Sequence, residues 1–266
     1  MGRHLPEQRS ATEPAVARES TDRSPGFELV LQRWQPVQLP PPGTPRHEVK
    51  FVARPNALPQ LEGWLRAHHA GWQVDHPDRT VSNVYFDSPT LAAWHDNHDG
   101  NNLRRKLRLR WYGERWHVER ATLEAKCRAG RVGWKWCAQV AAPIDLAHWR
   151  WQRVHDQLRH HLPPAFRLLL EEQPLASLVN RYRRQYFVSR DRQLRLTIDR
   201  DLRVWPQLGR ARPAIAQPAH KVDAMVVEVK CALEAEQLAA EALATMPLRV
   251  GRHSKYALGI ESLQNL

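Results

Sequence analysis

The chain has 266 residues, 42 % of them hydrophobic, enough for one large domain or two small ones with a real core. Its formal charge is +12, which points to an anionic partner such as nucleic acid, phosphate-rich metabolites or an acidic membrane surface. Three cysteines without a C-x-x-C pair speak against a disulfide framework, and no apolar run approaches the ~18 residues of a bilayer span, so the sequence reads as cytoplasmic.

Residues 1–45 read as a disordered or extended segment. They hold five Arg and five acids, which cancel, so the whole positive excess lies in 46–266, the expected domain. "FELVLQRWQPVQL" (27–39) predicts a short apolar lead-in that docks on the domain, and "PPPGTP" stiffens the approach to the first strand. Strands are then predicted at 46–53, 80–86, 104–112, 115–127, 131–141, 181–189, 193–204 and 223–231. Helical patterns fall between them at 56–69, 144–161, 164–172 and 232–246. "GRARPAIAQPAH" (209–220) reads as a long loop, because strand-like sequence resumes after it. This mixture describes an α+β domain.

In "KLRLRWYG" a period of two puts Lys106, Arg108 and Arg110 on one face and Leu107, Leu109 and Trp111 on the other. Three further strands carry Glu-x-Lys with apolar residues on the alternate face: Glu48 and Lys50, Glu124 and Lys126, Glu228 and Lys230. "LRLTID" adds Arg195 and Asp199 on one face. A single such strand is an ordinary solvated edge. Five of them, with amphipathic helices to cover the apolar faces, suit a sheet closed on itself with its charges inside. Buried cations without counter-charge are costly, and a polyanion with a divalent metal removes the cost.

"WHDNHDG", with His95, Asp96, His98 and Asp99, offers metal-ligand residue types but reads as a solvated loop. The histidine pairs at 68–69 and 160–161 close helical patterns, and Trp149 and Trp151 read as helix-to-barrel packing.

"RHEVKF" (46–51) resembles the first-strand signature of the triphosphate tunnel metalloenzymes, in the form of the catalytic domain of vacuolar transporter chaperone (VTC) polyphosphate polymerases. "NVYFDS" (83–88), "KLRLRWYG" (106–113), "LEAK" (123–126), "NRYRRQYF" (180–187), "LRLTID" (194–199), "VVEVK" (226–230) and "RHSKYALGI" (252–260) follow in the same order. The resemblance spans about 46–263 and implies a closed antiparallel barrel of about eight strands with helices outside. It implies phosphate contacts from Lys50, Arg108, Arg110, Lys126, Lys135, Arg184, Arg195, Arg252 and Lys255, a hydroxyl from Ser254, and Tyr182 in the tunnel wall. Lys106 and Lys230, on the same polar faces by alternation, join as substrate contacts.

Glu228 is the implied principal metal ligand, with Glu48 and Glu124 as second candidates by side-chain direction, for Mn²⁺ or Mg²⁺. Arg46 stands where the wider superfamily has a Glu, as in the polymerase branch, and Arg252 stands where Lys is expected.

The expected function is metal-dependent phosphoryl transfer, foremost polymerisation of polyphosphate from ATP, with hydrolysis of tripolyphosphate or a nucleoside triphosphate on the same fold as the alternative. The third reading is a non-catalytic binder of polyphosphate or nucleic acid. The interleaved acids weigh against a stable nucleic-acid partner, since they would repel its backbone. A membrane partner that removes product is compatible with a chain lacking its own span.

Overall fold

The structure, a computed structural model, describes residues 44–264 apart from 131, 252 and 253. The lead-in at 27–39 and Arg252 therefore lie outside the described residues. Strands are β1 (Arg46–Ala53), β2 (Gln73–Asp87), β3 (Leu103–Tyr112), β4 (His117–Val118), β5 (Ala121–Ala129), β6 (Val132–Val140), β7 (Ile144–Asp145), β8 (Leu175–Val188), β9 (Arg195–Pro206), β10 (His220–Val222) and β11 (Met225–Cys231). Helices are α1 (Leu58–Ala67), α2 (Ala92–His98), α3 (Trp151–His161), α4 (Pro164–Glu172), α5 (Glu236–Leu243) and α6 (Lys255–Gln264).

Eight strands close a ring in the order β9-β11-β1-β6-β5-β3-β2-β8, with β8 returning to β9, and every pairing is antiparallel. The fold is a closed α+β barrel, as expected. β10 extends the β11 edge of β9, and β4 and β7 form a separate pair. Among the described residues the seam between β1 and β6 is the thinnest, with the pairs Arg46↔Gly133 and His47↔Val132.

Strand alternation sorts the wall into two faces. Leu107, Leu109 and Trp111 of β3 point outward and are buried with Trp151, Val154 and Leu158 of α3 and Phe166, Leu169 and Leu170 of α4. Trp151 joins that core and Trp149 packs against it, the expected structural role. On the opposite wall Leu61 and Leu65 of α1 cover Phe51, Val227, Leu196 and Ile198. Burying such side chains stabilises by roughly 1.5–3 kcal/mol each, so the apolar jacket holds the charged interior together.

Helix α6 differs from the others in that it packs against cavity-facing side chains. Tyr256 and Ile260 sit among Val81, Tyr85, Leu178, Tyr182 and Val204. Gly259 permits the approach, because a Cβ there would lie 2.3 Å from Leu178 Cδ2. Buried Asp87 ties this end together: it accepts from Tyr256 Oη at 2.6 Å and from the α2 amides of Ala93 and Trp94 at 2.9 and 3.1 Å.

Three sequence expectations need correction. "WHDNHDG" is no loop: its first five residues end helix α2, whose free amides the preceding Asp87 satisfies. The strand expected at 115–127 is split into β4 and β5, which belong to different sheets. The helix expected from 144 begins at Trp151, after the short β7. Among the described residues no helix is long and apolar enough to cross a membrane.

Candidate active site

The inward faces of β1, β2, β3, β5, β6, β8, β9 and β11 line a cavity of ≈ 380 Å³, within the range of small-ligand sites. Of the expected contacts it gathers Lys50, Lys106, Arg108, Arg110, Lys126, Lys135, Tyr182, Arg184, Arg195, Lys230, Ser254, Lys255, Glu48 and Glu228, together with Arg46. A second cavity shares Glu48, Lys50, Lys106, Lys126 and Ser254 with the first and opens past Arg104 and Arg128.

Four carboxylates punctuate the cations. Glu48 meets Lys50 at 3.1 Å and Lys126 at 3.0 Å. Glu228 meets Lys230 at 3.0 Å, and Lys50 and Lys255 at 3.6 Å each. Asp199 receives Arg184 through two bonds of 2.5 and 2.6 Å and Lys255 at 2.5 Å. Glu124, just behind the lining, receives Arg108 at 2.8 and 2.6 Å, with Lys135 at 3.4 Å and Arg110 at 3.6 Å. Lys50 thus links Glu48 to Glu228, and Lys255 links Glu228 to Asp199. Asp199 is a site residue missing from the expected set; it shares a face with Arg195, but its counter-ion role exists only once β8 lies beside β9.

Neutral acceptors brace the cations. Tyr85 lies 3.3 Å from Arg108 Nη1 and Tyr182 3.3 Å from Arg110 Nη2. Arg110 Nε donates to Asn83 Oδ1 at 2.9 Å, and Lys106 Nζ donates to Ser254 Oγ at 2.8 Å. These fixed partners preorganise the cations before any ligand arrives.

The ionisation states follow from burial and neighbours. Burial alone would raise the Glu228 carboxyl, but Lys230, Lys50 and Lys255 outweigh it and hold it well below the usual carboxylate range. Glu48 and Glu124 are held down likewise, against burial, by Lys126 and by Arg108 respectively. Among the cations, burial outweighs Glu48 and, with Lys50 and Lys230 alongside, pushes Lys126 down to about 7. Lys106 falls well below its ordinary value through burial and the nearby Lys50 and Lys126. The interior is short of negative charge.

The donor set for a cation is oxygen only. Glu48 and Glu228 line one cavity and share Lys50, and Thr197, directly opposite Glu228 on β9, has a buried hydroxyl with no hydrogen-bond partner. These residues fit a hard divalent ion whose remaining ligands are phosphate or water oxygens. Among the described residues no cluster of three His, Cys, Asp or Glu side chains can hold an ion alone. Glu124 sits apart in its cage of three cations, in the part of a counter-ion.

The VTC domain family model matches residues 45–264. The chain belongs to the VTC domain family. That membership supports triphosphate-related phosphoryl chemistry. No curated protein matches this VTC sequence. Similar solved structures include a protein named as an adenylyl cyclase from Hippeastrum with a dominant triphosphatase activity, at 14 % identity and TM-score 0.48, covering 83 % of this chain and 96 % of that one. A protein named as an adenylate cyclase from Vibrio parahaemolyticus matches at 11 % identity and TM-score 0.41, covering 81 % and 98 %. The Mediator head module of Schizosaccharomyces pombe contains a chain matching at 10 % identity and TM-score 0.42, covering 78 % and 98 %. Likenesses this remote carry no argument about activity.

Proposed function

We propose that this protein is a cytoplasmic polyphosphate polymerase that moves the γ-phosphoryl group of ATP onto the terminal oxygen of a phosphate chain. The supporting observation is that each interior carboxylate, Glu48, Glu124, Asp199 and Glu228, is engaged by Lys or Arg. Attack by water calls for a base to orient and deprotonate it, whereas a chain-end phosphate oxygen is already anionic and needs only placement. Arg46 on the lining adds a cation where hydrolytic relatives of the resembled superfamily carry an acid.

In this reading Arg108, Arg110, Lys126 and Arg184 hold phosphate oxygens in line and neutralise the charge that spreads over them in the transition state. Lys50, Lys230 and Lys255 stay on their carboxylates and turn their remaining N–H groups toward phosphate. Lys135, Arg195, Arg252 and Ser254 complete the grip along the chain. Glu48 and Glu228 would hold Mn²⁺ or Mg²⁺, which as a Lewis acid draws charge from the phosphoryl oxygens.

Incubation of the purified protein with ATP and Mn²⁺ or Mg²⁺, followed by separation of phosphate chain lengths, tests the proposal. Chains that lengthen with time support it. Release of orthophosphate or pyrophosphate alone would replace it with triphosphate hydrolysis, and absence of any product would leave a binder.

A further inference from the structure

The two ends of the tunnel differ in chemistry. Beyond Arg110 on β3 and Arg184 on β8, two residues further along the same inward faces, stand Tyr112 and Tyr186, and both line the cavity. Tyr112 is 57 % exposed, far more than core packing of a tyrosine produces. The Arg79 guanidinium lies 5.4 Å from the Tyr112 ring centre and 5.8 Å from that of Tyr186. His76, also on the lining, meets Tyr186 edge-on at 5.6 Å. At the other end the cavity opens past Arg104, Arg128, Asn97 and Asn102, and the rings there are the imidazoles of His47 and His98.

An exposed Tyr112 and a half-buried Tyr186, with the planar Arg79 cation over both rings, make a stacking platform for a flat aromatic ring, and such stacking tolerates any base. Its position fixes the ligand class. A step of two residues along a strand is about 7 Å, so the platform stands one ribose length outside the last arginines of the phosphate tunnel. A free phosphate chain has nothing to offer these rings.

We propose that the Tyr112–Tyr186 mouth is a nucleobase subsite. A nucleoside triphosphate enters phosphates first from this end, leaves its base on the two tyrosines, and points its γ-phosphate toward Lys106 and the basic mouth. The inference rests on the phosphate-tunnel reading above and adds to it an end for the nucleoside and a direction for the chain.

Calorimetric titration in EDTA, where turnover is suppressed, separates the two ideas. ATP and tripolyphosphate are titrated into wild type, Tyr112→Ala, Tyr186→Ala and Tyr112→Phe, with thermal melts to confirm folding. The expected result is a loss of ATP affinity of about tenfold in each alanine variant, unchanged tripolyphosphate affinity, and near wild-type behaviour of Tyr112→Phe, which keeps the ring. Equal losses for both ligands, no loss for either, or an ATP loss in Tyr112→Phe as large as in Tyr112→Ala would overturn the subsite. Wild type that binds tripolyphosphate but not ATP would overturn the subsite and leave the tunnel standing. Wild type that binds neither would overturn both.

Discussion

Arg184 and Asp199 face each other across β8 and β9 and are joined by two parallel hydrogen bonds of 2.5 and 2.6 Å. Both are buried, and Lys255 approaches the same carboxylate. Asp199→Asn leaves buried Arg184 without its paired carboxylate and Lys255 with Glu228 alone, so we expect a loss of about 3–5 kcal/mol in denaturant titrations. Added tripolyphosphate should restore much of it by supplying negative charge. Wild-type stability in the variant would show that the pair carries no such weight.

The pH dependence of that pair has a definite sign. Burial opposes ionisation of Asp199, but Arg184 and Lys255 prevail and hold its carboxyl below 3.8. Its contribution is complete above the value at which the unfolded chain titrates and is lost as pH falls through the lower folded value. Wild type should therefore lose stability steeply below about pH 4, and Asp199→Asn should lose less over the same interval.

The lysines act in the opposite range. With Lys126 near 7 when folded and at 10.5 when exposed, the ligand-free protein should gain stability as pH rises between these values, because only the unfolded chain still binds the proton. Phosphate beside Lys126 and Lys106 makes their charged forms favourable again. Tripolyphosphate binding should thus take up protons at about pH 8, measured as a dependence of binding heat on buffer ionisation enthalpy. Lys126→Met should reduce the uptake; identical uptake in the variant would refute this assignment.

Glu228 is two residues from Lys230 on a strand whose inner face lines the cavity. Glu228→Gln keeps the shape and removes the charge. We expect metal-dependent turnover to fall at least about a hundredfold, while ATP or tripolyphosphate binds as well or better in metal-free buffer. Full activity in the variant, or wild-type turnover in excess EDTA, would dismiss Glu228 as a metal ligand.

Leu109 tests the outer wall. It is fully buried between β3 and its covering helices. Leu109→Asp puts a charge into that layer, and we expect insoluble or unfolded protein, judged by circular dichroism. A soluble, active variant would reverse the faces of β3.

What the sequence made legible is what depends on local period. Alternation in 106–111 sorts Lys106 and Arg108 from Leu107 and Leu109 without reference to any other strand. What it hid depends on distant partners. Helix α2 contains "HDNH", poor in apolar anchors, and owes its start to Asp87, which the α6 residue Tyr256 also engages. Helix α6 turns its apolar residues into the barrel rather than onto its outside, so reasoning about covering helices passed it by. The orphaned hydroxyl of Thr197 acquires meaning only opposite Glu228, a pairing of β9 with β11 that no local pattern announces.

The ring of strands has a consequence for any polymer inside it. A chain lying in an open groove can lift off sideways at every point, and its residence is set by how tightly each unit is held. A chain threaded through a hydrogen-bonded ring must slide out along the axis, so escape slows with length even where each contact is weak. Among the described residues the β1–β6 seam holds the fewest residue pairs of the ring, which makes it the place most readily parted. For any chain held in such a ring, residence is a property of topology first.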